Sequence, residues 1–401
     1  MPFETALTTA LSGLEGPDRR LAHELAAGVL RSGAALDRAI APYVSRGLES
    51  VQPSVRELLR LGAYQLTALD RIPPHAAVST SVSLARESPH SKAAPFVNAV
   101  LRRVAQSAPR TVPGRASHPG WLVTRWTRRF GPAETAALQL WNDTRPRWVA
   151  QPARWTLEDL SAAWRAAGAT FDSAPFEAGL VPDATRPQDL PGYAEGGFIV
   201  QDPAQALAVR FFDVPQGATV FDACAAPGGK SIALGRVAGR VLAADRKPDR
   251  VRRLRENLTR AGSGREFTLV ADAEAPPVAR VDVAILDAPC LGTGVFARHP
   301  DARWRVHPEA LGRLVEQAAR MLDAVAAAVR PGGLLCFSTC SLEPEENEMQ
   351  IAAFLDRHPE FRREPGPAPD AALTAEGDLQ LLPQRHETDG AYAARLRKGT
   401  A

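Results

Sequence analysis

The chain has 401 residues, of which 45% are hydrophobic and 23% charged, with a formal net charge of +3. That length exceeds one ordinary core, so two or three domains are expected, and the balance excludes a disordered or fibrous protein. No apolar run reaches the length of a bilayer span, and the start MPFETALTTALSGLEG carries acids where a secretory signal carries a basic region, so a cytoplasmic protein with no membrane partner is expected.

Charge is unevenly spread: residues 1–130 hold 17 Lys+Arg against 9 Asp+Glu, a local +8 that leaves about −5 for the remainder. Up to about residue 105 the apolar positions keep helical spacing, as in Leu21, Leu25 and Val29; Leu36, Ile40 and Tyr43; Val55, Leu58, Leu59 and Leu66; and Val97, Val100, Leu101 and Val104. The turn signals SRGLES, DRIPPH and ESPHSK divide these segments, which predicts a helical bundle over residues 1–107. A positive field there attracts a phosphate backbone without specifying its sequence. The Pro- and Gly-rich stretch APRTVPGRASHPG predicts a linker at 108–120. Beyond it, the Trp- and Arg-rich WLVTRWTRRF and the short mixed segments that follow predict a helical and small α+β unit over 121–200.

From Ala218 strand-like runs alternate with helical ones: ATVFDAC, RVLAAD, EFTLVAD, VDVAILDAPC and GGLLCFSTCS, with SIALGRVAG, PDRVRRLRENLTRAG and LGRLVEQAARMLDAVAAAV between them. This alternation predicts an α/β domain over 201–401 with a doubly wound parallel sheet covered on both faces. No internal repeat or low-complexity block interrupts it.

Ligands in such sheets sit at the carboxyl ends of the strands. The first strand ends in DACAAPGGKS (222–231), where Gly228 and Gly229 allow a tight turn bringing backbone N–H groups close to a ligand. The spacing matches neither G-x-G-x-x-G nor G-x-x-x-x-G-K-[ST], so a dinucleotide and a P-loop triphosphate are both disfavoured. Asp245 ends the second strand, 23 positions after Asp222, where an acid accepts hydrogen bonds from ribose hydroxyls; Asp272 and Asp287 end the third and fourth. Any one of these acids could be only a cap or a turn former. Together they suit a cofactor with a ribose, an adenine amino group and a cationic centre, a description that S-adenosyl-L-methionine meets.

The four cysteines, Cys224, Cys290, Cys336 and Cys340, form no C-x-x-C pair and argue against a disulfide framework or a zinc site. Cys336, inside LLCFS, reads as a small core residue, and Cys224 could be of the same kind. Cys290 and Cys340 close neighbouring strands beside Asp287, where a lowered pKa would make one of them a nucleophile.

The segments DACAAPGGKS, DAPCLGTGVFARHPDARW and STCSLEPEENE resemble, in order along residues 200–350, the motifs of the RNA 5-methylcytosine methyltransferases. The amino-terminal LRLGAYQL, RIPPHAAV and FVNAVLRRV resemble the NusB-type RNA-binding helical domain. That fusion is similar to the RsmB type, which modifies bacterial small-subunit (16S) ribosomal RNA, and DGAYAARLRK resembles that family's closing segment. The resemblance implies an all-α NusB-like bundle, a small RRM-like α+β unit and a Rossmann-like methyltransferase domain. It also implies that Cys340, in the TC motif, attacks C6 of cytosine, that Cys290, in the PC motif, assists release by β-elimination, and that Asp287 holds the base edge beside the cofactor. The loop Cys224, Ala225, Ala226, Pro227, Gly228, Gly229 and Lys230, with Asp245 and Asp272, would hold S-adenosyl-L-methionine.

RWVAQPARW and the Ala-Tyr of DGAYAARLRK depart from the family pattern, which bears on RNA contacts and not on the chemistry. Arg298, His299, Arg303, Trp304 and Arg305 combine positive charge with stacking surface and are expected to face RNA. The expected partner is 16S rRNA and the expected state a monomer. Transfer RNA as the substrate, or an RNA-binding assembly factor whose enzyme half is idle, are the alternatives.

Overall fold

A computed structural model describes residues 3–107, 118–184 and 186–400, so most of the stretch expected to be a linker lies outside the described residues. The chain divides into two compact units, one formed by residues 1–145 with 296–305 and the other by 146–295 with 306–401. The stretch 121–200 therefore spans the division.

The first unit is helical: α1 (Phe3–Ala10), α2 (Gly16–Ile40), α3 (Pro53–Ala68), α4 (Pro74–Glu87), α5 (Ala94–Ser107), α6 (Gly120–Phe130) and α7 (Pro132–Asp143). Helices α2, α3, α4 and α7 each have proline in the first two positions, where the missing N–H breaks no helical bond. The apolar stripes of α2, α3, α4 and α5 meet in a core containing Leu36, Ile40, Val55, Leu59, Val78, Val82, Val97, Val100, Leu101 and Val104. Leu21, expected on the same stripe, is instead 43% exposed. Gly28 lets α2 approach α3, since a Cβ there would overlap the ring of Tyr64, whose hydroxyl donates to Glu24 Oε1 at 2.8 Å.

The second unit begins with an antiparallel sheet of β1 (Ala150–Pro152), β2 (Phe171–Ser173), β3 (Leu180–Pro182) and β4 (Phe198–Val200) in the order β2-β3-β1-β4. Helix α8 (Leu157–Ala166), started by a reciprocal Thr156/Asp159 capping box, buries Leu160 and Trp164 against it. Trp148 stacks on Phe198 with ring centroids 6.2 Å apart.

The larger layer follows: α9 (Pro203–Phe212), β5 (Thr219–Asp222), α10 (Gly229–Leu234), β6 (Arg240–Asp245), α11 (Pro248–Ala261), β7 (Glu266–Val270) and β8 (Val281–Asp287). Residues 296–305, with the short α12 (Ala302–Arg305), belong to the helical unit. Then come α13 (Pro308–Ala327), β9 (Val329–Thr339), α14 (Glu348–Arg357), β10 (Phe361–Arg363), β11 (Leu379–Leu381), α15 (Pro383–His386) and β12 (Ala391–Lys398).

The sheet order is β10-β12-β9-β8-β5-β6-β7, with β11 also paired to β12. Strands β9, β8, β5, β6 and β7 are parallel, but β12 runs antiparallel to β9, β10 and β11, so the sheet expected to be parallel is mixed. Successive residues point to opposite faces. Val220 joins a core built with Leu207, Phe211, Ile232 and Leu254 from α9, α10 and α11, whereas Phe221 joins one built with Met321, Leu322, Ile351 and Phe354 from α13 and α14. Both faces are thus covered by helices, as the runs of apolar residues require. Among the described residues no helix is long and apolar enough to cross a membrane.

One expectation is corrected within the helical unit. Arg303 does not face RNA: it is fully buried, pairs with Asp143 at 2.6 Å and donates to the carbonyls of Asn142 at 2.5 Å and Phe296 at 3.3 Å. Packing of Phe296 near Trp126 and His118 seals the same region. Trp304 keeps 43% of its surface exposed, and Arg305 pairs with Asp301 at 2.8 Å. Removing one member of a buried ion pair leaves the other uncompensated, so Asp143→Ala should destabilise the helical unit by about 3–5 kcal/mol. Urea unfolding of the full chain, followed by a probe in that unit, measures it, and a loss near zero would contradict the pairing.

Candidate active site

The ends of β5, β6, β8 and β9 and the loops after them bring the sequence-predicted site residues of the second unit together. Hydrogen bonds between neighbouring strands carry the alignment past the sheet: Ala223 N–H donates to Ile285 O at 2.9 Å, Ala225 N–H to Ala244 O at 2.8 Å and Ala288 N–H to Ser338 O at 2.8 Å. The first loop therefore leaves the sheet between its two neighbours.

Within that loop Gly228 adopts φ +115°, a conformation that favours glycine, and a Cβ there would press on Leu254 Cδ1 of α11 at 2.9 Å. Arg250 Nη2 donates to Ala226 O at 2.8 Å and Asn257 Nδ2 to Pro227 O at 2.8 Å, which fastens the loop to α11. Arg250 also pairs with Asp245 at 3.2 Å, and the Lys247 N–H donates to Asp245 Oδ1 at 3.1 Å. Asp272 lies two residues past β7, accepts the Glu274 N–H at 3.0 Å and stands 3.8 Å from Arg246. Asp222 is fully buried and accepts from Ser231 Oγ at 2.7 Å; burial pushes its carboxyl up to about 6.

Lys230 turns out to serve Asp287. The buried ammonium pairs with Asp287 Oδ2 at 2.7 Å and donates to Gln205 Oε1, while Ser338 Oγ donates to Asp287 Oδ1 at 2.7 Å. Asp287 is thereby held on both oxygens at the mouth of β8, still partly exposed. Gln205 and Ser338 were not anticipated; a serine one position before TC carries no pattern that singles it out.

The two strand-end thiols meet. Cys290 Sγ and Cys340 Sγ lie 3.5 Å apart, within sulfur hydrogen-bond range, and both residues are partly exposed. Either sulfur can be the donor of that bond, and the bond to Cys340, together with burial, holds the Cys290 thiol well above the ordinary range. The remaining cysteines behave differently. Cys336 is wholly buried inside β9, as its setting in LLCFS predicts, and burial pushes it up to about 12. Cys224 is likewise pushed up to about 12, by burial and then by Asp222, Asp287 and Asp245, and serves as part of the loop framework.

The loops bearing the thiols are fixed by groups the sequence reading did not assign. Leu342 N–H donates to Thr293 Oγ1 at 2.8 Å, Gly294 N–H to Cys340 O at 3.0 Å, and Asn347 Nδ2 to Ser341 O at 2.8 Å. Glu346 Oε1 accepts the N–H of Leu291, the residue after Cys290, at 2.9 Å. Tyr392, in the segment that departs from the family pattern, is buried in β12 and donates to Asp378 Oδ2 at 2.6 Å. No group of His, Cys, Asp and Glu suited to a metal ion occurs among the described residues.

Comparison with known proteins matches this organisation. The family described as 16S rRNA methyltransferase RsmB/F matches residues 209–397, and the NusB family matches residues 2–106. A probable ribosomal RNA small subunit methyltransferase B from Synechocystis is 33% identical over 96% of this chain and 92% of its own length. The ribosomal RNA small subunit methyltransferase B of Vibrio cholerae is 33% identical over 99% of this chain and 93% of its own. Among solved structures, PH0851 superposes with a TM-score of 0.79 at 26% identity, covering 97% of this chain and 93% of that one. NSun6 from Pyrococcus horikoshii, solved with SFG, shares the fold with a TM-score of 0.63 at 18% identity over 70% of this chain and 98% of that one.

The differences among the thiols are measurable. Limited alkylation with iodoacetamide near neutral pH, mapped by peptide mass spectrometry, should label Cys340 first and leave Cys336 and Cys224 unlabelled until the chain unfolds. Faster labelling of Cys290 than of Cys340 would contradict this order.

Proposed function

The chain belongs to the RsmB/F family of 16S rRNA methyltransferases, with an amino-terminal NusB domain, and on that premise we propose that it methylates C5 of a cytosine in small-subunit rRNA, using S-adenosyl-L-methionine and a transient Cys340–C6 bond. The observation that carries this reading is the pair of sulfurs 3.5 Å apart, with Asp287 on the strand that ends beside them. C5 of cytosine is a poor nucleophile until a group adds at C6, and covalent addition splits one hard step into two easier ones. Cys340, in the TC motif, adds to C6. Cys290, in the PC motif and with its thiol held protonated, lies beside it and afterwards assists β-elimination. Asp287, oriented by Lys230 and Ser338, accepts from the amino edge of the base.

The donor set fits the proposed cofactor. Asp245 and Asp272 offer carboxylates to hydroxyl and amino groups, and the Cys224–Lys230 loop, turning at Gly228 with φ +115°, would bring backbone close to a ligand. When bound there, S-adenosyl-L-methionine supplies an electrophilic methyl group.

In this reading residues 201–401 carry the chemistry, and residues 1–107 and 121–200 bind RNA. The groove of about 790 Å³ between α4 and α5, lined by His75, Arg86, Asn98 and Arg102 among others, supports phosphate contacts on the helical unit. A base must be unstacked before a thiol reaches C6, which favours a cytosine in a loop.

Purified protein with labelled S-adenosyl-L-methionine should transfer label to 16S rRNA that lacks its own modification, recovered as 5-methylcytosine after digestion. Cys340→Ala should abolish turnover. Cys290→Ala should accumulate a protein–RNA adduct that survives a denaturing gel, and the opposite pattern in the two variants would reject these roles.

A further inference from the structure

A cluster of cations in the second unit lies away from the thiols. A pocket of about 360 Å³ opens where α10 and α11 end, and Arg154, Arg236 and Arg265 line it. Helices that follow parallel strands run back along the sheet, so this pocket sits at the amino-terminal edge of β6 and β7, whereas the thiols lie beyond the carboxyl ends of β8 and β9. Strand β6, with six residues, sets the two edges about 20 Å apart. No residue lining the pocket belongs to the site described above.

All three arginines are exposed, and each is aimed by main-chain carbonyls. Arg154 donates to Thr259 O at 2.9 Å, Gly262 O at 3.0 Å and Glu195 O at 3.4 Å, Arg236 to Pro152 O at 3.3 Å, and Arg265 to Ala238 O at 3.2 Å. Among the described residues none of the three pairs with a carboxylate. The bonds of Arg154 satisfy carbonyls at the end of α11, which is reason enough for that residue. Arg236 and Arg265 have no such explanation, because a single carbonyl leaves most N–H donors of a guanidinium unused. Glu266, next in sequence to Arg265, turns both oxygens to the adjoining turn and accepts the Ser263 and Gly264 N–H groups at 3.0 Å each. The carboxyl ends of the two helices and Glu266 together bring about two negative charges near three guanidinium groups, so the pocket keeps a positive balance.

We propose that this pocket binds a phosphate group. A guanidinium presents paired N–H donors that match two phosphate oxygens, and groups already aimed by carbonyls lose little freedom on meeting them. The source favoured here, which rests on the rRNA reading above, is a backbone phosphate of the rRNA several nucleotides from the target cytosine, as the separation of the two sheet edges requires. Phosphate contacts fix register and orientation without reading bases. The pocket therefore settles how rRNA lies along the second unit and leaves the choice of base to the thiol edge.

The test uses the full chain and unmodified 16S rRNA, with binding read by filter retention across a range of salt. Arg236→Gln combined with Arg265→Gln keeps a donor for each carbonyl and removes both charges. Affinity for rRNA should fall about 10-fold, and the slope of log affinity against log salt should drop by about 1 to 2. Arg236→Lys combined with Arg265→Lys should restore that slope. Inorganic phosphate is titrated calorimetrically into the wild type and the glutamine variant without RNA. Saturable phosphate binding that the glutamine variant loses, with rRNA affinity and slope unchanged, would identify free phosphate as the source. No change in rRNA affinity, salt slope or phosphate binding would overturn the proposal. So would a lysine variant with the affinity and slope of the glutamine variant, the mark of a packing defect. None of these measurements needs turnover, so a wild type that made no 5-methylcytosine would reject the cytosine reading and leave the pocket to be judged on binding alone.

Discussion

Two sulfur atoms held 3.5 Å apart in the loops that follow two neighbouring parallel strands are the constraint around which the second unit is arranged. Their meeting depends on register: Asp287 of β8 lies opposite Ser338 of β9, and the thiols follow three and two residues later. A slip of one residue would turn Ser338 to the other face of the sheet and break its 2.7 Å bond to Asp287. The loops beyond are then locked to each other, and Gly294 approaches Gly390 so closely that a Cβ on the former would lie 2.7 Å from the Cα of the latter. Glycine is needed there for space, not for an unusual φ.

The parts of this arrangement that the sequence displayed are those with a local signal. Strands β5, β6 and β8 are covered on both faces and read as mainly apolar runs, each ending in an acid. Strand β12 carries no such signal. Its AYAARLRK looks like a charged tail, yet it lies inside the sheet, with Arg395 buried and donating to Phe212 O at 2.9 Å and Arg397 bonded to Glu364 at 2.9 Å. Those partners are distant in sequence, so no period reveals them. The same holds for Arg303, whose buried partner Asp143 is 160 positions away. An arginine in a basic, aromatic segment reads as a surface residue until its carboxylate is known.

Burying charge is costly, and several of the second unit's buried charges are paired. Lys230 meets Asp287 and Gln205, and Arg395 and Arg397 share Glu364, whose carboxyl they pull down to about 2. For Glu364 the lowered pKa contributes stability that is present above the ordinary carboxylate range and lost as pH falls through about 2. Asp222 has the opposite sign. Its raised pKa means that the folded state binds the extra proton, so stability falls as pH climbs from the ordinary carboxylate range through about 6. Neutral pH is thus bought at Asp222 and supported at Glu364.

The four strand-end acids suggest, from sequence, a strongly negative pocket. A thiolate could scarcely form in such a field, because each nearby carboxylate raises a thiol's pKa. The fold mutes most of the acids at these strand ends. Asp222 is driven toward its neutral form by burial, Glu346 is raised to about 7 by the same cause, and Asp287 is paired with Lys230. Asp245 is paired with Arg250, leaving Asp272, two residues beyond the third strand, as the most lightly compensated carboxylate of the four. Uncompensated negative charge is therefore left mainly beyond the end of β7, at the sheet edge three strands from the Lys230–Asp287 pair.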